Sequence, residues 1–266
     1  MSVLRVAAAQ GVAVAGESDT NVATAARLVR QAADEGAALV VLPEAFLTGY
    51  AATAFAGKVP RADDLAGGWL DPLREEAARG ATTVVAGTPL QRESAKTLSL
   101  LVVRPDGEAL APYDKQHLFG EEAEHFVPGD HGATLAAGGW DLALSVCYDA
   151  CFPEHARAAA DTGATAYLNA AAYFTGSEHR RDLYLAARAL DNGMYAVFSG
   201  LTGACGPATF NGGSAIFDPE GRPLARLGTE EGVAVADLDP EVVRATREAH
   251  LMHADHRASL GPRVWV

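Results

Sequence analysis

Residues 142–153, LALSVCYDACFP, combine a thiol with the pattern of a strand that turns into a helix. The apolar run at 142–146 predicts a short buried strand that ends just before Cys147. Pro153 then begins a helical pattern as a first-turn proline. A thiol at such a turn projects from a rigid element, where backbone N–H groups can face an oxyanion. Cys147 is therefore a candidate nucleophile, with a buried core cysteine as the competing interpretation.

Two charged residues elsewhere supply what a thiol nucleophile needs. Glu44 follows an apolar run at 38–42, and Lys115 lies in a polar segment at 113–119. A thiol at its ordinary pKa requires a base or a nearby cation. A carboxylate can accept the thiol proton, and an ammonium can stabilise the thiolate and then an oxyanion. Each charge alone is typical of a solvated surface, but the three residues together predict nucleophilic catalysis.

Strand-like and helical segments alternate along the chain, which predicts one α/β domain over residues 1–266. Residues 19–21 (DTN) are expected to cap a helix that ends at Gly36. Residues 98–110 predict a hairpin around a glycine turn. No Gly/Ser-rich linker divides the sequence. The segment from about 250 to 266 has no periodicity, and we expect it to pack on a partner subunit.

Net charge, apolar runs and cysteine count exclude some classes of binding partner and predict a cellular location. The 266 residues carry a net charge of −13, which argues against a nucleic-acid or anionic-membrane partner. No apolar run approaches the roughly 20 residues of a membrane-spanning helix. The apolar N-terminal stretch lacks a preceding basic region, so we expect no signal peptide. Three cysteines do not suggest a disulfide framework, and a cytoplasmic protein is expected.

Three blocks of the sequence resemble the nitrilase (carbon–nitrogen hydrolase) superfamily and occur in its order. They are LPEAFLTGY with Glu44, DKQHLFGEEAEHFVPGD with Lys115, and CYDACFPEHAR with Cys147. Later matches, NAAAY, ARALDN and GGSAIFDPEG, extend the resemblance over nearly the whole chain. It implies a four-layer αββα sandwich, usually dimerised, that hydrolyses a non-peptide C–N bond of a small molecule without a cofactor or metal.

The resemblance also implies a role for each matching residue. Glu44 is the general base, Lys115 the cation beside the oxyanion, and Cys147 the nucleophile that forms a thioester. Glu122 matches the additional glutamate that positions the lysine. The backbone N–H of Tyr148 is expected to be the second oxyanion donor.

The expected substrate is a small amide, with a carbamoyl compound or a nitrile as alternatives. Tyr50 and Tyr173 are expected to contact it. N-carbamoyl amino acid hydrolases of the superfamily hold the substrate carboxylate with arginines at the positions of Ala150 and Cys151. Their absence predicts a preference for neutral or cationic amides. Three other arginines remain alternative clamps: Arg180, Arg181 and Arg257.

Two functions of other classes compete with catalysis by a thiol. Cys147, Cys151 and His155 recur every four residues and could bind zinc, although Pro153 would break a helix that carried all three. A non-catalytic interaction protein of the same fold is the second alternative. Cys205 is expected to be a loop thiol without a role.

Overall fold

The computed structural model describes residues 2–252, 254–257 and 259–266, in which two six-stranded sheets are stacked on each other. The strands of the first sheet are β1 (Leu4–Gln10), β2 (Leu39–Val41), β3 (Thr83–Gln91), β4 (Lys96–Val103), β5 (Ala109–Asp114) and β14 (Gly232–Leu238). The strands of the second sheet are β6 (Thr134–Ala137), β7 (Trp140–Val146), β8 (Ala166–Ala171), β9 (Tyr195–Gly200), β12 (Ala215–Phe217) and β13 (Pro223–Arg226). A separate hairpin contains β10 (Thr202–Cys205) and β11 (Ala208–Asn211).

Each sheet has a parallel centre with antiparallel strands added. The order in the first sheet is β14-β1-β2-β3-β4-β5, where β1, β2 and β3 are parallel. The order in the second is β13-β12-β9-β8-β7-β6, where β7, β8 and β9 are parallel. The hairpin expected at 98–110 is formed by β4 and β5. Because β5 returns to the direction of β2 and β3, their carboxyl ends lie at one edge of the sheet.

The interior between the sheets is apolar. Val6, Val41 and Val85 of the first sheet belong to the same buried cluster as Leu144 and Leu168 of the second. The alternate residues of these strands face outward, yet they are buried as well. This accounts for the nearly continuous apolar runs in the sequence, because parallel strands are usually covered on both faces.

Helices cover the two outer faces. The α-helices are α1 (Ser18–Asp34), α2 (Ala52–Ala56), α3 (Asp71–Gly80), α4 (Pro153–Asp161), α5 (Glu178–Asn192) and α6 (Pro240–Ala249). Short 3₁₀ helices lie at Gly68–Leu70, Gly120–Glu124 and Cys147–Cys151. α1 and α3 pack on the first sheet, whereas α4 and α5 pack on the second. The predicted four-layer αββα sandwich is confirmed.

Two local expectations were wrong. Asn21 does not cap α1, which begins at Ser18; its buried side chain accepts from the Val14 N–H and donates to the Val14 carbonyl. An amide side chain can satisfy both backbone groups of one residue, which a capping side chain does not. Cys205 is not a loop thiol, because it ends β10 and is buried.

Some expectations stay predictions. These are the single domain over 1–266 and the docking of the tail, from about 250 to 266, on a partner subunit. Within that tail, His253 and Ala258 lie outside the described residues. The described tail side chains include exposed apolar groups, notably Leu260, Val264 and Trp265. In the part of the chain that the structure describes, no helix has the length and apolar character needed to cross a membrane.

Candidate active site

The backbone at Cys147 is held in a strained conformation. β7 ends at Val146, and the 3₁₀ helix Cys147–Cys151 separates it from α4. Cys147 has a φ of 42°, in the left-handed region that costs a residue with a side chain about 1–2 kcal/mol. Strain of this kind persists only where the surroundings impose it, and it is frequent at active sites. The expected turn from strand to helix is therefore present, with the thiol at its start.

Glu44 is placed against the first sheet by a glycine. It follows β2 by three residues, and its side chain is only 1% exposed. A Cβ on Gly87 of β3 would lie 2.4 Å from the Pro43 carbonyl oxygen and 2.6 Å from the Glu44 Cα. Only glycine at position 87 therefore allows this close approach of the two backbones. Ala45 takes a φ of 50°, so the chain turns sharply just beyond the carboxylate.

Lys115 immediately follows β5, and its side chain is fully buried. Its ammonium donates to Glu44 Oε1 and to both carboxylate oxygens of Glu122, each at 2.7 Å. Burial alone would lower the pKa of Lys115, but the two carboxylates outweigh it and raise the pKa above its ordinary value. Lys115 is therefore a permanent buried cation rather than the solvated surface charge that its polar segment would suggest.

Glu122 binds Lys115 and several neighbouring groups at the same time. It lies in the 3₁₀ helix Gly120–Glu124 and accepts from the Phe119 N–H at 2.8 Å. The Tyr50 hydroxyl also donates to it. A buried carboxylate with this many donors is fixed in position. Glu122 is therefore in direct contact with the lysine that it is expected to position, and that role stays a prediction.

Glu44 retains one oxygen for chemistry. Its Oε2 atom is buried and has no hydrogen-bond partner within the described ranges. Burial raises the pKa of Glu44 to about 7, although the Lys115 ammonium opposes this rise. Burial and the charge of Glu44 likewise raise the pKa of the Cys147 thiol. The resting site therefore pairs a protonated thiol with a carboxylate whose pKa suits proton transfer near neutral pH.

A pocket opens onto the thiol. Arg180 is the one charged side chain among its described lining residues, which also include Cys147 and Cys151. Six aromatic side chains line it: Tyr50, Phe119, Tyr148, Tyr173, Phe174 and Tyr184. A concave, mostly aromatic pocket with a few polar groups is typical of a small-molecule site. It contains Tyr50 and Tyr173, the two residues expected to contact substrate.

Tyr148 occupies the second position of the 3₁₀ helix that begins at Cys147. The first backbone N–H groups of a helix lack partners within it, so they are suited to bind an anion. The Tyr148 ring packs edge to face against Phe119 and Phe152. Its backbone is therefore held next to the thiol, where an oxyanion donor is expected.

The residues of the zinc alternative are not gathered around one point. Cys147 and Cys151 both line the pocket, but both ring nitrogens of His155 lie 2.9 Å from tyrosine hydroxyls, of Tyr113 and Tyr167. A metal-binding histidine would need one of these nitrogens free. In the ranges 2–252, 254–257 and 259–266, no group of three or more metal-binding side chains is present.

Sequence reasoning missed several residues that hold the turn at Cys147. Asp149 accepts hydrogen bonds from the backbone N–H groups of His117 and Val146. The buried Arg188 of α5 donates to the Ala150 carbonyl at 2.9 Å. Asn169 of β8 donates to the Cys147 carbonyl at 3.5 Å. Asp149 lies inside the block that resembles the superfamily, so its position was a usable signal. Asn169 and Arg188 lie in the matching NAAAY and ARALDN segments, but their contacts with the cysteine turn join elements distant in sequence and could not be read from those segments alone.

We expect Lys115→Arg to lose nearly as much activity as Lys115→Ala. The space around the ammonium is filled by two carboxylates at 2.7 Å, and a planar guanidinium cannot take its place. Loss of one oxyanion donor typically lowers kcat by about 10²–10³-fold. Steady-state kinetics of both variants test this, with the exposed Lys58→Arg as a control. Near wild-type kcat in Lys115→Arg would contradict the geometry described.

Comparison with known proteins is consistent with this site. A model of the carbon–nitrogen hydrolase family matches residues 5–248. A deaminated glutathione amidase of Escherichia coli O157:H7 is 34% identical over 95% of this chain and 97% of its own length. An (R)-stereoselective amidase of Pseudomonas sp is 34% identical over 84% of this chain and 80% of its own length.

Solved structures show the same fold. An amidase from Nesterenkonia sp. AN1 is 32% identical, with a TM-score of 0.82 over 94% of this chain and 99% of that chain. A mutant of that amidase shows covalent addition of the acetamide moiety of fluoroacetamide at its active-site cysteine. These similarities confirm the predicted superfamily. The chain belongs to the carbon–nitrogen hydrolase family.

Proposed function

We propose that this chain hydrolyses the amide bond of a small molecule to an acid and ammonia, with Cys147 as the nucleophile. The observation that carries the proposal is the buried ion cluster of Glu44, Lys115 and Glu122, whose Glu44 carboxylate and Lys115 ammonium interact with the pocket-lining thiol of Cys147. A binding module has no need of this costly cluster. The amidase relatives and the cysteine adduct of the Nesterenkonia enzyme support the same chemistry.

Acylation begins with proton transfer from Cys147 to Glu44. The thiolate then attacks the amide carbonyl carbon, while the Lys115 ammonium and the Tyr148 N–H stabilise the negative oxygen. Glu44 returns the proton to the leaving nitrogen, so ammonia departs and a thioester remains on Cys147. Glu122 keeps the lysine charged and in place. A base with a pKa of about 7 is suited to both directions of this transfer.

Deacylation uses the same groups with water as the nucleophile. Glu44 removes a proton from water, whose oxygen attacks the thioester carbonyl. Lys115 and the Tyr148 N–H stabilise the second oxyanion, and the thiol leaves with the proton from Glu44. General acid–base transfer of this kind contributes typically about 10²–10⁴-fold. Hydrolysis of an N-carbamoyl compound or a nitrile by the same residues remains the alternative within the superfamily.

The pocket changes the expectation for substrate charge. Of the three arginines proposed as alternative clamps, only Arg180 lines the pocket. Arg181 is buried and donates to the oxygens of Asn211 and Gly212, and Arg257 lies in the exposed tail. Arg180 has no hydrogen bond or ion pair to another described residue. We therefore propose that neutral amides, and amides with a distal carboxylate, bind better than cationic amides.

The absence of arginine at positions 150 and 151 says less about substrate charge than the position of Arg180 does. Ala150 is fully buried and does not line the pocket, whereas Cys151 does. A small residue at position 151 leaves space along the pocket wall where Arg180 and Tyr184 also lie. In place of the preference for neutral or cationic amides that the sequence suggested, we propose a preference set by Arg180.

A homodimer and a cytoplasmic location are also proposed. The exposed apolar side chains of Leu260, Val264 and Trp265 support docking of the tail on a second copy. All three cysteines are free thiols, which fits a reducing compartment.

Cys147→Ala should abolish ammonia release, and Cys147 should react with iodoacetamide before Cys151 and Cys205. Only Cys147 has a base and a cation beside it. Peptide mapping after brief alkylation and an ammonia assay with a panel of amides, carbamoyl compounds and nitriles test this. Activity should survive EDTA. An active Cys147→Ala variant, or activity lost to EDTA and restored by zinc, would exclude the thiol mechanism.

Arg180→Ala should selectively impair turnover of an amide with a distal carboxylate. A charged hydrogen bond contributes about 1.5–3 kcal/mol, so its kcat/KM should fall roughly 10–150-fold. A neutral amide of equal length should be little affected, and an ω-amino amide should improve. Arg222→Ala, an exposed arginine in the turn before β13, is the control. A wild-type enzyme that turns over the ω-amino amide best would refute the role of Arg180.

A further inference from the structure

Asp149 is a fully buried carboxylate that the proposed reaction does not use. It lies two residues after Cys147 and accepts four hydrogen bonds. Oδ1 accepts from the His117 N–H at 2.9 Å and from His117 Nδ1 at 2.8 Å. Oδ2 accepts from the Tyr113 hydroxyl at 2.6 Å and from the Val146 N–H at 3.0 Å. The two backbone N–H groups and the Tyr113 hydroxyl donate to Asp149, and the His117 ring completes the set when its proton is on Nδ1, so the site is suited to an ionised carboxylate.

The electrostatics agree with the geometry. Burial would raise the pKa of Asp149, but the hydrogen bond from His117 and the other donors lower it below its ordinary value. A buried carboxylate that is ionised must be held by its donors, since it has no access to water. The hydrogen bonds that hold Asp149 in place therefore also hold His117, Tyr113 and Val146 in place.

A second layer orients these donors. Tyr113 donates to Asp149, so its hydroxyl oxygen accepts from His155 Nε2 at 2.9 Å. His155 Nδ1 in turn accepts from the Tyr167 hydroxyl at 2.9 Å. Burial lowers the pKa of His155, which favours the neutral ring that this pattern requires. The hydrogen bonds therefore run in one direction, from Tyr167 to Asp149.

The donors of Asp149 belong to the two segments that carry the reactive groups. Val146 immediately precedes Cys147, whose left-handed backbone needs an external restraint. His117 lies two residues after Lys115, and its ring stacks on Phe152 with 3.9 Å between centroids. One carboxylate thus links the lysine segment to the cysteine turn.

We propose that Asp149 is a positioning residue, which holds Cys147 and Lys115 in the mutual geometry that thioester formation requires. The proposal rests on Cys147 as the proposed nucleophile. The competing role is purely structural, in which Asp149 contributes to folding stability alone. The two differ in whether its loss slows a reaction of the thiol in protein that is still folded.

Asp149→Asn is the sharpest test because it keeps the shape and removes the charge. The amide NH₂ would face two donors where an oxygen accepted two hydrogen bonds. We expect kcat to fall by about 10²-fold, comparable to the loss of an oxyanion donor, with KM changed less than about threefold. The rate of Cys147 alkylation by iodoacetamide should fall at least about tenfold, as expected for a misplaced nucleophile.

Two further variants separate positioning from stability. Thr82→Val removes a buried hydrogen bond, 2.7 Å to the Ala37 carbonyl, away from the pocket, so it should lower Tm without changing kcat. His117→Gln removes the ring donor but keeps the backbone N–H, and it should give a smaller loss of kcat. If Asp149→Asn does not fold, His117→Gln is the variant that tests the positioning role.

The proposal is wrong if folded Asp149→Asn keeps wild-type kcat and alkylation rate. It is also wrong if Thr82→Val, at an equal fall in Tm, loses as much kcat, or if His117→Gln is fully active. A failure of the proposed function itself gives a different result. If Cys147 is not the nucleophile, Cys147→Ala remains active, whatever the activity of Asp149→Asn.

Discussion

The buried ammonium of Lys115 is the interaction on which the rest of the site depends. Removing a charge from water costs several kcal/mol, which is recovered only when partners are placed with good geometry. Glu44 and Glu122 provide this at 2.7 Å. Without the cation, the same two carboxylates would repel each other in a low-dielectric interior. The lysine therefore determines which protonation states its neighbours can adopt, before any substrate arrives.

The two sheets bring these groups together. Glu44 and Lys115 follow β2 and β5, whose carboxyl ends share one edge of the first sheet, and Cys147 follows β7 of the second. Packing between the sheets is apolar and leaves little freedom to shift one against the other. Hydrogen bonds from His117 and Val146 to a shared carboxylate add a polar link across the same junction. Rigid strands and this link together hold Glu44, Lys115 and Cys147 in their relative positions.

The sequence predicted the fold correctly, and indicated the candidate reactive residues, where the signal lies in a short stretch of neighbouring residues. Glu44 and Cys147 follow apolar runs, Lys115 lies in a polar segment, and all three stand in recognisable blocks. The alternation of strands and helices predicted the layered fold. It was uninformative where the outcome depends on contacts between distant residues. The burial of Lys115 requires Glu122 and β5 to be folded, and the place of Arg180 in the pocket depends on how α5 packs. The cap predicted at Asn21 was wrong because the partner of its side chain, Val14, is a loop residue with no distinctive pattern.

The position of β14 has a consequence for synthesis of the protein. β14 pairs along the whole length of β1, from Leu4 opposite Leu238 to Gln10 opposite Gly232. On the ribosome, β1 therefore emerges long before the strand that covers its edge, and an uncovered edge readily pairs with other chains. The nascent chain carries this open edge, with the residues for the ion cluster already made, until β14 has left the exit tunnel. Closing so long a loop is slow relative to local contacts, so the first sheet is completed only after β14 has been made.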